Sequence, residues 1–84
     1  MRRKHRRTLE AIFEDPVRSD IEWRRVESLF RALGANLSEG EGSRVLVVLK
    51  GEEHVFHRPH PQKEIHKRGV RAVRRFLSTA EVTP

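Results

Sequence analysis

Residues 42–61 read GSRVLVVLKGEEHVFHRPHP, and the reading of this stretch decides the fold. It holds the only long apolar run of the chain, Val45-Leu46-Val47-Val48-Leu49, then a Lys50-Gly51 break and a second run, Val55-Phe56-His57. β-branched and aromatic residues on both sides of a glycine-containing turn predict an antiparallel hairpin. Pro59 and Pro61 end its second strand, because neither can donate to a ladder. Two strands alone are marginal in water, so the flanking segments are expected to pack on them.

On the N-terminal side, Trp23, Val26, Leu29, Phe30 and Leu33 form one apolar stripe, which predicts a helix over about residues 21–33. Ser19 and Glu22 have the S-x-x-E spacing of a capping box, and Asp20 is an equally good N-cap by type. Gly34 can take the positive φ of a helix C-terminus. Trp23 lies on the stripe and is read as core rather than as a base-stacking platform. Residues 35–39 predict a third, short strand, closed by Gly40-Glu41-Gly42. Further upstream, Leu9, Ile12 and Phe13 predict a short helix over about 6–14, stopped at Asp15-Pro16. Downstream, residues 62–66 read as a polar connection. Val70, Val73, Phe76, Leu77 and Ala80 then predict a helix over about 67–79, with Lys67, Arg68, Arg71, Arg74 and Arg75 on its other face. The predicted fold is α+β in the order α-α-β-β-β-α, a three-stranded antiparallel sheet with helices on one face.

A chain of 84 residues makes one domain, spanning 1–84. Eighteen Lys and Arg against twelve Asp and Glu give a net charge of +6. Such a balance points first to a nucleic-acid phosphate backbone and second to an acidic protein partner. Residues 1–7, MRRKHRR, are read as a basic arm, either disordered or a phosphate-binding tail. With no cysteine there is no disulfide framework and no cysteine-based zinc site, which fits a cytoplasmic protein. The basic N-terminus is not followed by the apolar core of a signal peptide, and no apolar run is long enough for a membrane span.

Four of the five histidines cluster: His54, His57, His60 and His66. On a strand, positions 54 and 57 point to opposite faces, which argues against a shared metal ion. Histidine is also the side chain best suited to pass protons near neutral pH. RNA cleavage needs a base for the 2′-OH, an acid for the leaving oxygen and a cation for the developing phosphorane charge, with no metal or other cofactor. A two-residue turn at Lys50-Gly51 sets Arg44 opposite His57; a turn at Gly51-Glu52 leaves the two diagonal on the same face. A guanidinium beside His57, with His60 held between two prolines at the same edge, makes a sensible phosphate site. His57 and His60 are therefore the catalytic candidates. Arg44, Ser43, Arg58, Lys63, Lys67, Arg68 and Arg71 are the candidate phosphate- or RNA-binding residues. Against this stands the reading that the histidines merely decorate the surface of a basic protein. Leu46 and Val48 share the Arg44/His57 face, where a small antiparallel sheet should be wet; either the first helix covers them or a partner does.

Residues 21–82 also resemble the HicA toxin family. The resemblance rests on Leu33-Gly34-Ala35 at a helix end, Gly42-Ser43 opening a strand, Pro59-His60-Pro61 after the hairpin, and Lys67-Arg68-Gly69 before an apolar-basic final helix. It implies a fold similar to a double-stranded-RNA-binding domain, endoribonuclease cleavage of mRNA, and inhibition by a HicB-type antitoxin protein. It implies neither a membrane nor a small-molecule substrate. The first helix looks like an addition. One position departs: where the family reads Gly-Ser-His, with the histidine catalytic, this chain reads Gly42-Ser43-Arg44. Arginine does not give up its proton at neutral pH, so it can hold phosphate but cannot be the acid or base. Either His57 takes over, or the chain is a non-catalytic RNA- or DNA-binding module of the same fold acting through a protein partner.

Overall fold

A computed structural model describes residues 1–84. The hairpin is at its centre. β3 (Arg44–Leu49) and β4 (Glu52–His57) pair antiparallel through a two-residue turn, Lys50-Gly51, in which both residues have positive φ (51° and 81°). This is the connection whose twist suits a right-handed ribbon, and glycine takes its second position without steric cost. β2 (Asn36–Glu39) pairs antiparallel with β3 and completes the sheet, in the order β2-β3-β4.

α2 (Trp23–Ala32) and α3 (Lys67–Thr79) lie against the inner face of this sheet. Val45, Val47, Leu49 and Phe56 alternate inward along the strands and are buried. There they meet Phe30 of α2 and Phe76 of α3, whose rings stand 5.6 and 5.5 Å from that of Phe56, centroid to centroid. Trp23 joins the cluster 5.8 Å from Phe56 and is buried, so its place in the core is borne out. α2 ends as predicted: Gly34 sits at φ 89° and donates to the Arg31 carbonyl, while Ala35 N–H donates to that of Phe30.

Four local expectations are corrected. The capping box does not form: α2 starts after Glu22, without a side-chain cap, and Asp20 pairs instead with Arg18. Ile21 and Glu22 form a two-residue strand, β1, which pairs with β5 (Glu64–Ile65) inside the expected polar connection. The clip buries Ile21 against Ile65 and joins the start of α2 to the start of α3. α1 runs over Arg3–Ile12, so most of the expected basic arm is helical, and His5 and Thr8 are buried along with Leu9 and Ile12. Finally, α1 packs on α2, α3 and β1 and does not cover the outer face of the sheet. On that face Leu46 and Val48 are half-buried and Val55 is 46% exposed.

Arg74, expected on the wet face of α3, turns to α1. Its guanidinium donates to the carbonyl oxygens of Ile12 (2.9 Å) and Glu14 (2.8 Å), two of the acceptors left free beyond a helix end. The fold is thus α+β, with three helices and a three-stranded antiparallel sheet like that of a double-stranded-RNA-binding domain. No helix is long and apolar enough to cross a membrane.

Candidate active site

The two-residue turn fixes the register, and the register puts Arg44 directly opposite His57. Both residues are exposed on the outer face, at the end of the hairpin away from the turn. His54, three residues earlier, belongs to the opposite face, where it stays exposed at the edge with its ring 4.5 Å from that of Phe56. The parity argument therefore separates the histidines as expected.

Beyond β4 the chain turns through Arg58-Pro59-His60-Pro61 and enters β5 and α3. This path closes a cleft of about 250 Å³ lined by His57, Pro59, His60, Gln62, His66 and Gly69, among others. Three exposed imidazoles thus border one hollow beside the first turn of α3. His66 is the N-cap residue of that helix and makes no side-chain cap bond. The first amide groups of a helix point outward from its N-terminus and favour anions there. No three histidine, aspartate or glutamate side chains in the chain are grouped as metal ligands. His66 was not among the catalytic candidates. The signal available was its membership of the histidine cluster, immediately before an apolar-periodic stretch.

The cationic candidates divide. Ser43 lies beside the site, its carbonyl accepting from Arg58 N–H at 2.9 Å. Lys63 lies on the neighbouring cleft with Trp23, Arg24 and Gln62. Lys67 and Arg68 are exposed on the first turn of α3, but neither they nor Arg71 line the histidine cleft. Arg58 departs furthest from expectation, because its guanidinium is already occupied. It donates to both oxygens of Glu39 (2.6 and 2.7 Å) and to Glu27 (2.6 Å). A charge so neutralised is a poor phosphate holder, and the fork is better understood as a clamp. It fastens the residue between His57 and His60 to β2 and α2 together.

The clamp marks the titration of its partners. The hydrogen bonds from Arg58 hold the Glu39 carboxyl below the usual range. Partial burial pushes Glu27 up, but the hydrogen bonds from Arg58 and from the Trp23 indole outweigh it, and Glu27 too sits below its ordinary value. Arg58 is correspondingly raised, first by Glu39 and then by Glu27.

Small size, strong positive charge and this helix-backed sheet define a class: compact α+β proteins of the double-stranded-RNA-binding-domain type. Within it, residues 23–81 match the family described as HicA toxin of bacterial toxin–antitoxin, and the chain belongs to that family. No curated protein and no solved structure is significantly similar to it.

Proposed function

We propose that this toxin is a metal-independent endoribonuclease acting on mRNA, with His57 and His60 as its acid–base pair and Arg44 as the holder of the scissile phosphate. The observation that carries the reading is the meeting of His57, His60 and His66 on one cleft, with Arg44 across the strand from His57. One histidine takes the proton of the 2′-OH as that oxygen attacks phosphorus. The other gives a proton to the departing 5′-oxygen, leaving a 2′,3′-cyclic phosphate on one fragment and a free hydroxyl on the other. Arg44 remains charged throughout and offsets the charge that builds on the non-bridging oxygens. His66 and the first amides of α3 add donors on the far wall. Lys63, Lys67, Arg68 and Arg71 guide the flanking strand, while Arg58 acts only by holding the loop. A HicB-type antitoxin would silence the enzyme in the cytoplasm by covering this face.

The test is incubation of purified protein with unstructured RNA in EDTA. Cleavage is expected, to be abolished by His57→Ala and by replacing the 2′-OH with hydrogen at the cut site. Intact RNA at enzyme excess would refute catalysis. A second reading then takes over, that of a non-catalytic RNA- or DNA-binding module acting through its protein partner. The arginine at position 44, where the resemblance leads one to expect a histidine, is the observation that favours it.

A further inference from the structure

A second basic feature of the molecule lies away from the histidine cleft, between α1 and α2. A groove of about 420 Å³ runs there, bordered by Lys4, His5 and Arg7 of α1 and by Arg24 and Arg25 of α2, with Thr8 and Ser28 at its base. No hydrophobic and no acidic side chain lines it. Lys4, Arg7 and Arg25 have no carboxylate within ion-pair distance; only Arg24 has one, Glu22 at 2.8 Å. Bringing unpaired like charges onto two facing helices costs free energy that a bound polyanion would offset. α1 also lies wholly before the segment that matches the HicA family, so half of this groove is an addition to it.

The groove connects with the proposed catalytic cleft. Arg24 borders both the groove and a second cleft formed with Trp23, Pro61, Lys63 and Glu22, whose carboxylate is paired with Arg24 itself. That second cleft shares Arg58, Pro59 and Gln62 with the histidine cleft. One surface track therefore leads from His57 and His60, past Lys63 and Arg24, into the space between α1 and α2. We infer that the α1–α2 groove binds the phosphate backbone of the RNA strand whose other part lies in the histidine cleft.

The chemistry of the lining selects this occupant. A protein interface needs an apolar centre with aromatic anchors and is depleted in lysine. A phosphodiester chain needs spaced cations and hydroxyl donors, without base-specific groups. The groove offers spaced cations and the Ser28 hydroxyl, the Thr8 hydroxyl being spent on the Lys4 carbonyl (3.0 Å), and it offers no apolar centre or aromatic anchor. Contacts of this kind fix how the strand lies without reading its sequence, so the groove contributes affinity and register rather than cleavage preference.

This inference rests on the histidine cleft being an RNA site, and the experiment separates the two. The binding of a fluorescein-labelled 12-mer RNA and of a trinucleotide is measured by anisotropy over a salt series, in the full chain carrying His57→Ala so that the RNA stays intact. Arg7→Gln/Arg25→Gln removes two phosphate contacts. The slope of log affinity against log salt for the 12-mer should then fall by about 1.4, and its affinity at 0.1 M salt by about 25-fold if those contacts add nothing at 1 M. The trinucleotide, too short to reach the groove, should bind unchanged. Arg7→Lys/Arg25→Lys should keep the parent slope, which separates charge from folding, and Arg75→Gln, on another face, should keep it too. An unaltered 12-mer slope in the Gln variant overturns the inference, as does an equal loss for the trinucleotide. An effect confined to binding of an acidic partner protein overturns it as well. Failure of cleavage with the slope change intact would overturn only the catalytic reading.

Discussion

Replacing Arg58 with methionine keeps the aliphatic stem and removes the fork that ties the loop after β4 to β2 and α2. The Arg58–Glu39 half of the clamp faces water and is screened, so it is left out of the sum. The Arg58–Glu27 half is different, because the two side chains are only 28% and 15% exposed. Hydrogen bonds to charged groups contribute about 1.5–3 kcal/mol, and partial contact with water argues for the lower part of that range. Arg58→Met should therefore destabilise the protein by about 2 kcal/mol, which for a chain of this size lowers Tm by about 8–16 °C. Urea unfolding followed by far-UV circular dichroism at neutral pH measures this directly. With Glu27→Gln and the double variant it closes a cycle, whose coupling energy should exceed about 1 kcal/mol. The pH dependence supplies a second check. The folded carboxyls of Glu27 and Glu39 lie below their unfolded values, so the stability they contribute is complete above the usual carboxylate range. It is lost as pH falls through the lower, folded values. The gap between parent and variant should accordingly narrow as the pH is taken below the usual carboxylate range. A loss under about 0.5 kcal/mol, additive single changes, or a gap that ignores pH would each show that the clamp does not hold this loop.

Phe30→Ala empties a fully buried position touched by the rings of Trp23, Phe56 and Phe76, and should cost about 3–5 kcal/mol, read as a collapse of the urea midpoint. Val55→Arg lies on the open face of the sheet and should leave stability within about 0.5 kcal/mol by the same unfolding measurement. On the proposal that a HicB-type antitoxin covers this face, the same change should weaken that complex by about tenfold or more in a titration, since a charge would then stand at an apolar contact.

The hairpin, the shared face of Arg44 and His57, and α3 were legible because each rests on a local rule: strand parity sets a face, as does a stripe at helical spacing, while the sequence left two registers open. The same parity separated His54 from His57. The β1–β5 clip was not legible, because two residues carry no periodicity, and Ile21 could be read as the start of a helix. The start of α1 is expected about three residues too late because an unbroken run of Arg, Lys and His looks like a solvated arm. Arg and Lys are also good helix formers, and burial of Thr8, Leu9 and Ile12 holds the helix in place. Sequence displays a charge but not its partner. Arg58 finds Glu27 across 31 residues and Glu39 across 19, and Arg74 finds the end of α1 across 62. These distances hid which arginines are spent on the fold and which remain free. The place of His66 on the cleft was hidden for a related reason: it comes from where α3 begins, not from any spacing within the cluster.

The clasp between α1 and the body has a consequence for where this protein can be cut. Kinship begins at residue 23, yet Leu9, Ile12 and Ile21 belong to the same apolar cluster as Val70 and Leu77. Arg74, inside the related segment, grips carbonyl oxygens outside it. Ancestry and folding thus draw different borders through one chain. A fragment trimmed to the shared segment would keep its lineage but lose its floor, leaving a bare apolar surface and an arginine with nothing to hold.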